Sequence, residues 1–111
     1  MAQIRTTRFG TLTSTGTALA VVYTVPSNRR ALVRSFNVLN ARNGTIIAYL
    51  YVYSPGGLLL SGDALTIPTL VAGRSDPWLV AEAGETLRMA FTGAPTGTAY
   101  GMVSGVLFDT T

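Results

Sequence analysis

The chain of 111 residues contains no cysteine and no histidine. Without cysteine there are no disulfide staples and no thiolate chemistry, and with histidine gone too the usual transition-metal ligands are missing as a set. Lysine is also absent, so all 8 basic residues are arginine. A nucleophile-plus-base arrangement would need a serine or tyrosine activated by one of 5 carboxylates. Glu82 and Glu85 could be drawn as an acid/base pair, but they flank Gly84 in the turn "EAGE", where charged side chains sit in water. Asp63, Asp76 and Asp109 are scattered, with no calcium-loop spacing. The expectation is a non-enzymatic protein with no catalytic residue, no cofactor and no metal. No apolar run approaches the roughly 18 residues of a membrane helix, and "MAQIRTTRFG" has no apolar core of signal-peptide length. Neither membrane insertion nor export by that route is expected.

Charge of either sign is scarce. Only 12% of residues are charged while 48% are hydrophobic, against about 25% charged in an average soluble domain. A monomer needs mixed surface charge to stay apart from its copies, so this balance points to self-association. Arginine suits desolvated planar ion pairs better than lysine does; a GC-rich genome would give the same bias.

What remains is a β-type pattern. Residues 1–17 are threonine-rich, carry Arg5 and Arg8, and lack sustained apolar periodicity, which reads as an extended N-terminal arm or a frayed terminus. From residue 18 to 111 a single domain is expected. "ALAVVYTV" ends at Pro26, "PSNRR" turns into "ALVRSFNVL", and Asn43-Gly44 gives the strongest hairpin signal. The run "TIIAYLYVY" stops at Ser54-Pro55-Gly56-Gly57, which fits a type II turn. A short strand or two follow around Gly62 and Asp63, with Pro68 marking an edge or bend. "WLVA", "TLRMAFT" and "TAYGMVSGVLFD" complete the set, and Gly101 and Gly105 suggest bulges or close backbone approach. About seven or eight short strands with turns every 8 to 12 residues or so read as an all-β antiparallel sandwich or barrel.

The phrases "YTVPSNRRALVRSFNVLN" (23–40) and "WLVAEAGETLRM" (78–89) resemble small β-sandwich virion structural proteins of tailed bacteriophages. The resemblance covers about 30 residues directly. It implies a jelly-roll-like sandwich located in the virion, assembled in the host cytoplasm, and working as a capsid decoration or cement protein. A neck, tail or baseplate component is the alternative within the same family. Implied partners are sister copies, a trimer ahead of a ring, and the major capsid protein or another virion protein.

One strand stands out. At the two-residue period of a strand, Tyr49, Tyr51 and Tyr53 share a face with Ile47, while Ile46, Ala48, Leu50 and Val52 take the other. Both faces are apolar, although a strand in a small antiparallel domain normally keeps one face in water. The tyrosines could be ordinary core, a sugar platform of a carbohydrate-binding adsorption module, or a subunit interface. The interface reading is carried forward. Arg29, Arg30 and Arg34, with Arg5 and Arg8 on the arm, are expected to dock on carboxylates of a neighbouring virion protein; Arg34 could instead pair internally with Glu85. A nucleic-acid partner is not expected, because a net charge of +3 is modest for that task.

Overall fold

The computed structural model describes residues 4–93 and 96–110, with side chains from residue 7 onward. Among them are nine strands and no helix: β1 Ile4–Ser14, β2 Ala20–Thr24, β3 Arg29–Arg42, β4 Ile46–Tyr53, β5 Leu59–Ile67, β6 Ala72–Ser75, β7 Leu79–Glu82, β8 Thr86–Thr92 and β9 Gly97–Asp109. They form two antiparallel sheets. One runs β1-β9-β3-β6, with β7 also on β3; the other runs β2-β8-β4-β5.

The pairs β1 with β9, β2 with β8, β3 with β6 and β7, and β4 with β5 are rungs of one long antiparallel ribbon closed at the β4–β5 turn. Wrapping that ribbon brings β9 onto β3 and β8 onto β4. This is the jelly-roll route, in which the two ends of the chain lie side by side in one sheet.

Alternation fills the space between the sheets. Phe36, Val38 and Val103 face Leu50, Leu87, Met89 and Phe91, all buried. β8 follows its sequence pattern, with Leu87, Met89 and Phe91 inward. Gly105 sits where β9 closes on β3: a Cβ there would lie 1.9 Å from the Leu32 carbonyl oxygen, so no side chain can be tolerated without moving the strand.

Several local expectations change. The segment 4–14, read as part of an arm, is extended but paired along β9 for its whole length, and Phe9 enters the core. Threonine favours strands, and an edge strand needs few apolar residues; Phe9 and Leu12 are the ones that pack inward. Asn43-Gly44 makes a turn but no hairpin, because β3 and β4 belong to different sheets. At Ser54–Gly57 the Gly57 N–H donates to the Ser54 carbonyl at 3.0 Å, and the left-handed residue is Gly57, φ 89°. A type II turn requires it one residue earlier.

Candidate functional site

The outer face of the four-stranded sheet is built around β4. Tyr49, Tyr51 and Tyr53 stand there half-buried while Ile46, Ala48, Leu50 and Val52 fill the core. Register places Ala90 and Ala64 beside Tyr49, and Arg88 and Gly62 beside Tyr51. Small neighbours, Ala64 and Gly62 on β5 and Ala90 on β8, leave the tyrosines as a ridge that Arg88 borders on the β8 side. Tyr49 and Tyr51 stack at 5.5 Å between centroids with 15° between planes, and Tyr51 meets Tyr53 edge-on at 6.0 Å. The Arg88 guanidinium lies 4.4 Å from the Tyr53 centroid, and its Nε donates to Thr86 Oγ1 at 3.1 Å. Burial, followed by the neighbouring phenols Tyr49 and Tyr53, pushes the Tyr51 phenol above its ordinary value.

This geometry bears on what the ridge can bind. Sugar platforms use a free ring face, but one face of Tyr51 is covered by Tyr49 and the Tyr53 contact crowds it from the other side. Ring edges and hydroxyls are what project, a mixture suited to protein contacts. The apolar surface continues onto edge strand β5, where Leu59 and Leu60 border the same groove as Tyr49 and Tyr51, and both leucines are exposed.

The arginines divide. Arg29 forms an ion pair with Asp109, and Arg30 with Glu82, whose second oxygen accepts from Arg30 Nε at 3.1 Å. Glu85 accepts from the Glu82 backbone N–H at 2.8 Å, so it organises the turn. The Arg5 side chain lies outside the described residues. Arg8 and Arg34, by contrast, are exposed on the five-stranded sheet, on the two strands that flank β9. Arg8 is directly opposite Ser104, and Ser104 is directly opposite Ser35. Both strands flanking β9 are bulged at this point: register slips between Arg8 and Gly10 on β1 and between Val33 and Ser35 on β3. The extra residue on β3 is Arg34, and a bulge re-aims its side chain. The Arg34 guanidinium sits 4.8 Å from the Trp78 ring centroid. Beyond it, Arg74 pairs with Asp76 at 3.1 Å. Arg34, Arg74, Asp76, Trp78, Ser35 and Ser104 line a cleft of about 300 Å³. A second, more apolar hollow of about 530 Å³ lies alongside, bordered by Leu39, Tyr100 and Met102.

Arg42, at the end of β3, is 2% exposed. Its guanidinium donates to the carbonyls of Ser14, Gly16 and Gly93 at 3.0, 2.6 and 3.3 Å. Alternation carried the signal: Phe36, Val38, Asn40 and Arg42 share the inward face of β3. Among the described residues, no group of three or more His, Cys, Asp or Glu side chains could hold a metal ion.

No family model matches the chain, and no curated protein sequence does. Solved structures do. The VP2 protein of infectious bursal disease virus in T=1 particles matches with TM-score 0.56 at 11% identity, over 97% of this chain and 32% of that one. A VP2 subviral particle gives 0.55 at 10% identity, over 96% and 32%. A Bacillus endospore appendage, a disulfide-linked pilus, gives 0.50 at 12% identity, over 98% and 86%. The chain thus spans about a third of the capsid chains it matches. At these identities the likeness is one of fold.

Proposed function

We propose that the protein is a non-enzymatic structural subunit of a virus particle, a capsid decoration or cement protein that assembles with its sister copies through the tyrosine-bearing face. The observation that carries this reading is the ridge of Tyr49, Tyr51 and Tyr53, half-buried and continuous with exposed Leu59 and Leu60. It lies on a jelly roll of which only 12% of residues are charged. Burying that face against a sister copy, in a closed trimer or ring, removes the apolar surface from water. Docking on the particle falls to the other sheet, where the hollow at Leu39, Tyr100 and Met102 adjoins Arg8. Arg29 and Arg30 are engaged within the fold and contribute little to it. Individually weak contacts suffice when many identical sites act together.

The test is the copy number of the protein in purified particles. Hundreds of copies per particle support a shell protein, and a few to dozens make it a neck or tail ring. Absence from particles overturns the reading. A second reading is a filament subunit, favoured because the endospore appendage is matched over 86% of its length and the capsid chains over 32%. Filaments in negatively stained purified protein would select it. Any such linkage here would not be a disulfide, since the chain has no cysteine.

A further inference from the structure

The cleft beside Trp78 has three marks of a built site. Trp78 has φ 52°, in the left-handed region that side-chain-bearing residues rarely occupy, and the indole is 57% exposed. An exposed tryptophan held at a strained backbone position gains nothing for the core, and such outliers persist where a ligand clamp needs them. Arg34 is delivered by a bulge that only a glycine opposite allows, since a Cβ on Gly105 would also lie 2.9 Å from the Arg34 nitrogen. Finally, the polar groups converge. Ser35 and Ser104 are paired across β3 and β9, and Asn37 Nδ2 donates to Ser35 Oγ at 2.8 Å, leaving the hydroxyl hydrogen to be donated elsewhere.

We propose that this cleft binds an acidic saccharide, a pyranose bearing a carboxylate. The carboxylate meets the Arg34 guanidinium, whose planar fork matches it, within a field to which Arg8, opposite Ser104, adds. Arg34 covers one face of the indole at 4.8 Å, so the apolar wall for the C–H face of the ring is Val106 with the part of Trp78 that stays exposed. The sugar hydroxyls find donors and acceptors in Ser35, Ser104 and the Asp76 carboxylate, which Arg74 holds at 3.1 Å. Asp76 is what separates this ligand from an acidic peptide: its carboxylate accepts from the ring hydroxyls of a sugar, which a run of acidic side chains does not offer. A single indole likewise offers no row of stacking platforms for a nucleic-acid strand. The cleft lies on the sheet opposite the tyrosine ridge, so its ligand and the oligomeric assembly can fail separately.

Trp78 is the only tryptophan in the chain, so its fluorescence reads the site directly. The full-length protein is titrated with oligogalacturonate, a neutral glucose oligosaccharide of equal length, acetate and a glutamate-rich peptide. A saturable change with oligogalacturonate, and binding of the neutral sugar weaker by about tenfold or more, as loss of a charge-assisted bond implies, supports the site. By calorimetry, Arg34→Gln should weaken oligogalacturonate binding by a similar factor while leaving the circular dichroism spectrum unchanged. Ser104→Ala, which keeps the guanidinium, should weaken it severalfold and serves as the second variant if Arg34→Gln fails to fold. No saturable response to oligogalacturonate, or an equal response to the neutral sugar, overturns the proposal. An equal response to acetate or the peptide also overturns it and makes the cleft a clamp for a protein carboxylate.

Discussion

Arg42 ties three parts of the chain together, joining the end of β3 to the carbonyls of Ser14 and Gly16 after β1 and of Gly93 after β8. Replacing it with methionine keeps much of the volume but removes three hydrogen bonds from a charged donor, each worth about 1.5–3 kcal/mol. Arg42→Met is expected to lose about 3 kcal/mol or more, read as a lower urea midpoint at unchanged slope; a loss within about 0.5 kcal/mol, typical of a surface site, would contradict the assignment. Period two places this residue on the inward face of β3 with Phe36, Val38 and Asn40, although its charge is of the kind that usually sits in water. The tyrosines were legible because alternation alone sorted them from Leu50 and Val52. Two phenols also carry a pH prediction. Burial raises Tyr23, against a lowering effect of Arg29, and burial with neighbouring phenols raises Tyr51. In the unfolded chain both ionise near pH 10. Their contribution is therefore fully present below about pH 10 and is lost as pH rises through the higher native values. Tyrosinate absorbance of folded and urea-unfolded protein should show the native titration lagging, with the thermal midpoint falling over the same alkaline range.

At the scale of elements, the strands with clear alternation were readable in sequence: β8 coincides with the run 86–92, and β4 and β9 begin within a residue of theirs. Two were not. β6 is "AGRS", four residues without apolar alternation, and it is a strand because it pairs with Phe36–Leu39 of β3. β1 is polar because it is an edge strand, with pairing supplied by β9 at the far end of the chain. The jelly roll joins sequence-distant segments, and no local pattern encodes that. The same non-locality turned the Asn43-Gly44 signal from a hairpin into a crossing between sheets. The strand assignment of β1 makes Phe9 structural, so Phe9→Ala should cost about 3–5 kcal/mol, measured by chemical denaturation. Little change in the midpoint would return this segment to a dispensable arm. The cleft was half legible: Arg8 and Arg34 were marked by type, but the bulges that bring them to Ser104 and the tryptophan beneath Arg34 depend on register.

For the whole molecule, the central claim is that the tyrosine face of the four-stranded sheet is completed by a sister copy. Large apolar side chains remain exposed on both sheets, among them Leu59 and Leu60 on one and Leu39, Val80 and Tyr100 on the other. Few charges separate them. The ridge is the more ordered of the two surfaces, its rings already fixed against each other and under Arg88, so little side-chain entropy is lost when a partner covers it. A charge at its centre would be desolvated without a partner, usually at a cost of several kcal/mol. The most direct measurement is sedimentation of wild-type protein and of Tyr51→Asp at micromolar concentration. The account predicts a wild-type oligomer and a folded, smaller species for the variant; a monomeric wild type, or a variant that assembles as the wild type does, would contradict it.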